Sequence, residues 1–411
     1  MRKAPCVAAI TNKEIVDLFD WYPRATDPDA FALSTRGQVV RASGGYWAFV
    51  PEPLPRHVDL TPELLNLLER ATGALHRLGG IGSLLPNPDL LIVPHVRLEA
   101  VLSSRIEGTR SSVSDLLLFE AGQLPLWDSA GDDVHEVANY VAALDHGIAR
   151  LRGGFPLSVR LLREVHELLM HGVRGQHVTP GELRRSQNWI GGSNPTDAVF
   201  VPPPVDEMRV ALDDLERFLH EDSLPLVVQL ALAHVQFEII HPFLDGNGRL
   251  GRLLVTLMLI DRRVLPQPLL YLSAAIERDR ARYYDLLLEV SRTGSFDGRL
   301  RFFLAAVAAQ AKDAEVRTMR LVRGQAAFRD ELLAARVPTT AVRLGDLLFV
   351  RPYLSIANVV RELGVTAPTA AKAIALLEDR GELEEVTGRS RGRIWLAPKV
   401  FAAIYGDAGA D

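Results

Sequence analysis

The segment spanning residues 241–252 brings several chemically active side chains close together in the sequence. It reads His-Pro-Phe-Leu-Asp-Gly-Asn-Gly-Arg-Leu-Gly-Arg, with one imidazole, one carboxylate and two guanidinium groups. His241 is the side chain in this segment whose unperturbed pKa suits a general base near neutral pH. Asp245 suits Mg²⁺, which commonly takes one carboxylate together with phosphate oxygens and waters. Arg249 and Arg252 lie three residues apart on one helical face. Two guanidinium groups, each with a planar set of N–H donors, suit a polyphosphate better than a single carboxylate.

The elements on either side of this segment determine how it is held. The apolar run of residues 253–260 predicts a buried helix that begins at the glycine-rich turn of residues 246–248. The first N–H groups of such a helix lack intrahelical partners and attract anions. Upstream, the apolar residues 224–240 predict a central helix that leads directly to His241. We therefore expect an anion-binding helix N-terminus beside a histidine.

Taken separately, a His-Pro pair is usually structural and a Gly-Asn-Gly sequence is usually a turn. Here every specified position occurs at a fixed spacing, and the segment resembles the signature of the Fic family, His-x-Phe-x-(Asp/Glu)-Gly-Asn-Gly-Arg-x-x-Arg. The resemblance implies a protein adenylyltransferase (AMPylator), a nucleotidyltransferase that uses ATP with Mg²⁺. Such an enzyme transfers AMP to a Ser, Thr or Tyr hydroxyl of a target protein, or of its own chain.

The resemblance also assigns a role to each residue of the segment. His241 deprotonates the attacking hydroxyl, and Asp245 is the metal ligand. Arg252 binds the γ-phosphate, and Phe243 is buried and holds the loop. The other phosphate-binding residues implied by the resemblance are Gly246, Asn247, Gly248 and Arg249.

A second informative segment lies upstream, in a predicted helix over residues 97–108 with Gly108 as its C-cap. By itself, Glu107 in that helix reads as a solvated glutamate. Residues 103–108, however, resemble the inhibitory-helix motif of the Fic family, (Ser/Thr)-x-x-x-Glu-(Gly/Asn), with Ser103 in the first place. The resemblance implies that Glu107 pairs with Arg252 and occupies the space that a γ-phosphate needs. The chain is thus similar to the subclass with an N-terminal inhibitory helix.

Residues 181–204 interrupt the helical pattern and predict a loop or a hairpin with short strands at residues 189–190 and 199–201. A purely structural hairpin is one interpretation. The resemblance to the Fic family assigns the segment as the flap, whose exposed edge at Ile190, Gly191 and Gly192 pairs with the target protein by strand addition.

Paired tyrosines mark the region after the signature. Tyr283 and Tyr284 lie in a predicted helix. Paired tyrosines usually serve as core or interface residues. In the Fic pattern, a helix bearing two tyrosines lines the nucleotide base. Both interpretations, core packing and adenine contact, stay open.

For the whole chain of 411 residues we expect a mainly α-helical fold. It would comprise a Fic-type helical domain with a small β-hairpin flap, followed by a winged helix-turn-helix domain. The expected divisions are an N-terminal region at 1–95, helical from about 61; the catalytic domain at 96–310; a connecting helix at 311–339; the winged helix-turn-helix at 340–400; and a tail at 401–411.

The C-terminal module is predicted from two helices, residues 356–364 and 366–381, separated by a short turn, and from a hairpin with a basic tip. If the module reads DNA, Thr366, Thr369 and Lys372 would face the major groove. Arg389, Arg391 and Arg393 at the tip would meet phosphates or the minor groove. The predicted recognition helix carries one clear cation, so dimerisation or target docking is the alternative role.

Composition supports a soluble globular protein, with 48% hydrophobic and 24% charged residues. The net charge of −5 gives no overall nucleic-acid footprint. The single cysteine, Cys6, excludes an internal disulfide and agrees with a reducing compartment. We expect a cytoplasmic homodimer that does not associate with membranes.

Two other functions compete with AMP transfer at this stage. The same site could hydrolyse AMP from modified proteins, with Glu107 orienting a water molecule. Alternatively, the chain could act mainly as a DNA-binding regulator through its C-terminal module.

Overall fold

The computed structural model describes residues 28–84, 89–122, 128–172 and 179–406. This part of the chain is mainly helical. Its α-helices are α1 (Pro62–Leu84), α2 (Asp89–Ile106), α3 (Val113–Glu120), α4 (Asp128–Arg152), α5 (Val159–Leu169), α6 (Val205–Leu219), α7 (Leu226–Ile240), α8 (Asn247–Asp261), α9 (Ser273–Arg278), α10 (Arg280–Thr293), α11 (Asp297–Ala334), α12 (Thr339–Leu348), α13 (Ile356–Leu363), α14 (Ala367–Asp379) and α15 (Pro398–Tyr405). Its strands are β1 (Gly37–Arg41), β2 (Trp47–Pro51), β3 (Tyr353–Ser355), β4 (Glu384–Glu385) and β5 (Ile394–Leu396).

Helices α7 and α8 form the centre of the fold. Every residue of α7 from Val227 to Ile240 is buried, and α8 is buried from Arg249 to Ile260. A helix that is apolar on all sides must be covered all round. Accordingly α7 contacts α6, α10 and α11, and α8 contacts α4 and α5. The short loop between the two central helices carries the segment predicted to be active.

The longest helix, α11, packs along α1 and continues into the C-terminal region. The expected limits at residues 95/96 and 310/311 therefore fall inside helices α2 and α11 and do not coincide with structural boundaries. Helix α1 continues through the glycine pair 79–80 to Leu84. A Cβ at Gly79 would lie about 2.5 Å from the carbonyl oxygen of Val264, so this glycine serves close packing rather than termination.

A small antiparallel sheet, β1 with β2, pairs Gly37 with Pro51 and Arg41 with Trp47. The Phe49 amide of β2 donates a hydrogen bond of 2.9 Å to the carbonyl of Val201, which ties the sheet to the expected flap. The flap itself is more irregular than expected. Its two predicted strands reduce to a single bridge between Ile190 and Phe200, because glycines follow one side and prolines the other.

The C-terminal region contains α12 to α15 and a three-stranded antiparallel sheet in the order β3-β5-β4. Helices α13 and α14 lie where the sequence predicted them, and Gly364 between them adopts a left-handed conformation with φ of 65°. Strand β3 was not predicted. Residues 401–405, expected as tail, instead belong to α15, which packs against α11 and α2. The winged helix-turn-helix assignment and any contact with DNA stay predictions.

In the described ranges, no helix combines the length and apolar character needed to cross a membrane. Cys6 and the tail beyond residue 406 lie outside the described residues.

Candidate active site

His241 is held in an unusual backbone conformation directly after α7. Its φ of 48° is left-handed, and its amide donates to the carbonyl of Phe237 at 3.0 Å. Such a conformation is uncommon for a residue with a side chain and is maintained by the surroundings. Nδ1 lies 3.2 Å from the carbonyl of Glu238, so Nδ1–H donates there and Nε2 keeps its lone pair. Burial lowers the pKa of His241 to about 4, which leaves the ring neutral at pH 7.

The loop after His241 is closed by the side chain of Asn247. Its Oδ1 accepts from the Phe243 amide at 2.9 Å, and its Nδ2 donates to the Phe243 carbonyl at 2.8 Å. Phe243 is buried, as expected, and its ring stacks on that of His166 with centroids 3.9 Å apart. Asn247 therefore fixes the loop with its side chain while its backbone begins α8.

Two residues of the flap segment that sequence reasoning did not single out also hold this loop. Arg184 is fully buried and donates from Nε to the carbonyl of His241 at 3.0 Å. Asn188 Nδ2 donates to the same carbonyl at 3.1 Å and to that of Phe243 at 2.8 Å. Burial lowers the pKa of Arg184 to about 10. A non-periodic polar stretch gave no signal that these two side chains face inward.

His166 of α5 links two segments of the site. Its Nδ1 accepts from the Gly181 amide at 2.9 Å, and its Nε2 donates to the carbonyl of Asp245 at 3.0 Å. Burial lowers the pKa of His166 to about 4, so the neutral form that makes both contacts is the stable one. The ring thus positions the loop.

The N-terminus of α8 lies at the bottom of the site. Gly246 caps the helix with φ of 75°, and its amide donates to Asp245 Oδ1 at 2.7 Å. A Cβ at Gly246 would sit 2.7 Å from the sulfur of Met170, and a Cβ at Gly248 would collide with Glu107 Oε1. The expectation of a glycine-lined helix N-terminus here agrees with this geometry. In this arrangement, the space directly above Gly248 is occupied by a carboxylate.

Arg252 is buried and makes hydrogen bonds to two residues at the end of α2 and just after it. Its Nε donates to Ser103 Oγ at 2.7 Å, and its Nη2 donates to the Ser103 carbonyl at 2.9 Å and to Glu107 Oε1 at 2.7 Å. Helix α2 ends at Ile106, so Glu107 and Gly108 lie in the following turn and not in the helix predicted over 97–108. Although burial opposes the charged form, Arg252 holds the pKa of Glu107 below its ordinary value.

Arg249 faces away from the site. Its Nη1 donates to Glu136 Oε2 of α4 at 2.9 Å, and both side chains are about 95% buried. Arg249 does not line the cavity described below, whereas Arg252 does. Phosphate binding by Arg249 stays a prediction, since in this arrangement its guanidinium pairs with Glu136 and, of the two arginines, Arg252 lines the cavity. Two arginines three residues apart share a helical face, but their long side chains reach different neighbouring helices.

His241, Glu107 and Arg252 line one cavity, whose space of about 1020 Å³ is partly open to solvent. His241, Asp245 and the start of α8 form one end, and Ile190 and Gly191 form part of the rim. Gly192, expected on the same edge, lies beyond the rim, where a Cβ would meet the Asp197 backbone. Residues of α10 form the opposite wall: Tyr283, Tyr284, Leu287, Leu288 and Ser291.

Both tyrosines of α10 contribute to that wall, with ring centroids 5.2 Å apart. Tyr283 is 1% exposed and its hydroxyl lies 3.1 Å from His234 Nε2, so it is also a core residue. Tyr284 is only partly buried. Core packing is thus confirmed for Tyr283, while contact of either tyrosine with adenine stays a prediction.

The described side chains of the site could bind a metal ion together with oxygen atoms of a bound nucleotide and of water. Among the described residues, no group of three or more His, Cys, Asp or Glu side chains could hold one. Asp245 lines the cavity as a single carboxylate beside the helix N-terminus. That donor set fits Mg²⁺, which keeps waters and shares phosphate oxygens, and does not fit an all-protein metal cage.

Two stretches of the chain match models of one protein family. The model for the Fic/DOC family N-terminal region matches residues 65–149, and the Fic/DOC family model matches residues 156–259, which contain the whole 241–252 segment. Over these two stretches the chain is similar to the Fic/DOC family. The first match includes α2 and Glu107 in the turn after it, and the second includes the central helix α7 and most of α8.

The relatives are distant. The protein adenylyltransferase Fic of Drosophila ananassae is 29% identical over 203 residues, which are 48% of this chain and 37% of that protein. The chain thus spans well under half the length of the curated relatives it matches. A Fic family protein from Desulfovibrio desulfuricans G20 aligns with a TM-score of 0.54 at 21% identity, covering 84% of this chain and 98% of that one. Fic-1 from C. elegans aligns with a TM-score of 0.50 at 22% identity, covering 64% and 74%. These structures confirm the mainly helical Fic-type fold.

Proposed function

We propose that this protein transfers AMP from ATP to a hydroxyl side chain of a target protein. The observation that carries the proposal is that His241, the N-terminus of α8 and Arg252 line the same cavity. A base, an anion site and a buried guanidinium in one cavity are the parts that phosphoryl-group transfer requires.

The triphosphate binds along the start of α8. Gly246 keeps the turn open for the phosphates, the backbone N–H groups of Asn247 and Gly248 face them, and Arg252 neutralises the terminal one. Asp245 holds Mg²⁺, which supplies positive charge to the phosphate oxygens. The apolar wall formed by α10 binds the adenine base of ATP. Small-molecule sites are typically apolar pockets with a few polar groups, and this cavity has that character.

His241 acts on the incoming hydroxyl. Its Nε2 lone pair takes the proton as the hydroxyl oxygen forms a bond to the α-phosphorus. The bond from that phosphorus to the bridging oxygen breaks, and pyrophosphate leaves with the electron pair. Anionic phosphates beside the ring favour its protonated form, so its pKa rises when the nucleotide is bound.

The target segment adds to the edge of the flap. Ile190 and Gly191 line the cavity rim, and the bridge from Ile190 to Phe200 gives this rim an extended backbone. Main-chain pairing of this kind aligns a target side chain with little demand on its sequence.

Glu107 restrains the reaction. Its carboxylate lies over Gly248 and binds Arg252, where a terminal phosphate would otherwise sit. Triphosphate binding must therefore break this contact first. The restraint comes from charge pairing and excluded volume together.

Incubation with α-labelled ATP and Mg²⁺ tests the proposal. We expect Glu107→Gly to label itself or a target at least roughly tenfold faster than wild type, because a hydrogen bond to a charged group contributes about 1.5–3 kcal/mol. His241→Ala in the same background abolishes labelling. Absence of label in wild type and in Glu107→Gly alike would contradict AMP transfer.

A second activity is supported by the C-terminal region. Arg389, Arg391 and Arg393 are all exposed on the connection between β4 and β5, and Lys372 is exposed on α14. Basic groups so placed suit a phosphate backbone. A gel shift with DNA that weakens steeply with salt, and that is lost on changing the three arginines to serine, tests DNA binding.

A further inference from the structure

A third carboxylate, that of Glu238, lies in the cavity besides those of Asp245 and Glu107, one helical turn before His241. The residue is 8% exposed and lines the cavity. Its Oε1 is buried and has no hydrogen-bond partner among the residues that the structure describes. A buried carboxylate oxygen without a partner is costly, so its retention in a ligand cavity calls for a functional explanation.

The carboxylates of Glu238 and Glu107 rest on the same face of α8. A Cβ at Gly248 would collide with Glu107 Oε1, and a Cβ at Gly251 would collide with Glu238 Oε1. These glycines are three residues apart, one helical turn, and Gly251 directly precedes Arg252. The two acids therefore occupy adjacent places beside one guanidinium.

Charged and titratable groups act on Glu238 from its own helix and from several neighbouring segments. They are His234 of α7, Arg252 of α8, Glu107 after α2, Tyr283 and Tyr284 of α10 and Arg299 of α11. His234 Nδ1 lies 4.0 Å from Glu238 Oε1, and burial lowers the pKa of His234 so that the ring is neutral. Arg299 stacks over the Tyr283 ring at 4.7 Å. Two arginines thus face two acids while Glu107 is in place.

Nucleotide binding changes this balance of positive and negative charge. When a terminal phosphate replaces Glu107, its charge exceeds that of the carboxylate it displaces. An ionised Glu238 would then add a further negative charge beside Arg252, in a site of low polarity where like charges repel strongly.

We propose that Glu238 sets a proton requirement for triphosphate binding: the nucleotide binds when the carboxyl of Glu238 is neutral, and binding takes up one proton. The inference rests on the proposed function, since it presumes a triphosphate beside Arg252. Burial raises the pKa of Glu238 to about 7, with Arg252 opposing and Glu107 reinforcing the rise. The neutral form is therefore available at physiological pH and disappears as the pH rises.

Calorimetry with MgATP tests this requirement in the full chain. Glu107→Gly lacks the charge that helps to raise the pKa of Glu238, so in this variant that pKa is lower than in wild type. We expect its dissociation constant to be nearly constant below about pH 5 and to rise by roughly tenfold per unit above about pH 7. In Glu107→Gly/Glu238→Gln, whose amide cannot ionise, the difference between these pH values should vanish. MgADP, which lacks the terminal phosphate, should show a weaker pH dependence than MgATP in Glu107→Gly.

A second measurement does not depend on the folding of the Glu238 variant. Binding heats of MgATP to Glu107→Gly at about pH 7.5, in two buffers of different ionisation enthalpy, give the number of protons taken up. Uptake of a substantial fraction of one proton supports the inference, and no uptake overturns it.

Glu99→Gln in the Glu107→Gly background is the matched control. Burial also raises the pKa of Glu99 to about 7, but its carboxylate is bonded to Ser273 and does not line the cavity. The pH dependence should persist in this control. An equal pH slope with and without Glu238, or equal weakening by Glu238→Gln at every pH, would overturn the inference while leaving AMP transfer intact. Failure of Glu107→Gly to bind MgATP at any pH would instead reject the proposed function, and the inference with it.

Discussion

Arg252 Nη2 and Glu107 Oε1 lie 2.7 Å apart, joining the second turn of α8 to the turn after α2 across the mouth of an anion site. The arginine side chain is 1% exposed and the glutamate side chain 25% exposed. The pair is therefore open to solvent on the side of the acid. A ligand can approach and displace Glu107 without unpacking the arginine, which suits a contact that must be reversible.

Ser103 should strengthen this restraint. Its hydroxyl accepts from Arg252 Nε at 2.7 Å, while its backbone carbonyl accepts from Nη2 independently of the side chain. We expect Ser103→Ala to raise the labelling rate above wild type but less than Glu107→Gly does. Ser104→Ala is the control, because the neighbouring Ser104 is equally buried and its Oγ has no hydrogen-bond partner in the described structure. Equal rates for the two alanine variants would mean that the Ser103 hydroxyl contributes nothing.

Arg184 should be essential for the shape of the catalytic loop. It donates to the carbonyls of His241, Ser186 and Pro203 from a fully buried position. Arg184→Ala leaves these acceptors unsatisfied and should cost about 3 kcal/mol in the free energy of unfolding, with a fall in kcat. Arg185→Ala removes an exposed arginine next to it and should change stability by less than about 1 kcal/mol. Urea unfolding of both variants measures the difference, and similar losses would contradict the assignment.

Arg249 should act on stability rather than on nucleotide binding. Arg249→Met leaves Glu136 buried without its cation and should lower stability by about 3–5 kcal/mol. The double variant Arg249→Met/Glu136→Leu removes both charges and should recover most of that loss. In the Glu107→Gly background, the double variant should keep a KM for ATP close to that of the parent. A large rise in KM despite recovered stability would show that Arg249 does reach the phosphates.

The pH profile should separate the roles of the two ionisable groups. His241 must be unprotonated to accept a proton, and burial lowers its pKa to about 4 in the free protein. As the pH falls from about 8 to about 6, kcat/KM for ATP in Glu107→Gly should therefore not decline through protonation of His241. Over the same interval, Glu238 becomes neutral and should favour nucleotide binding. A loss of kcat/KM centred near pH 6.5 would contradict both expectations.

Sequence reasoning predicted what local spacing encodes. The turn at residues 246–248, the helix after it and the apolar helix before His241 are all specified by neighbours in the chain. The partnership of Glu107 with Arg252 came from family resemblance, and the structure contains that contact. Spacing could not show that Arg249 turns towards Glu136, because a side chain's direction depends on which distant helix lies beside it.

Contacts between residues far apart in the sequence explain the other differences between the structure and the predictions from the sequence. Arg184 and Asn188 become loop supports only once the flap folds over His241. Gly79 is required by the approach of Val264, 185 residues later in the chain, and not by any property of its own helix. The flap forms one bridge where alternation of residue types indicated two strands, since strand length depends on partners that local patterns do not reveal.

Helix α11 has a practical consequence for dividing this protein. It runs without interruption for 38 residues, roughly 57 Å at the usual rise per residue. Ala314, Thr318 and Leu321 in its second half are as deeply buried as Leu304 and Val307 in its first. Truncation at residue 310 would cut this helix and remove part of the surface that packs on α1. Both fragments would then expose apolar side chains that are buried in the intact chain. The catalytic and C-terminal parts should therefore be produced and assayed as one polypeptide.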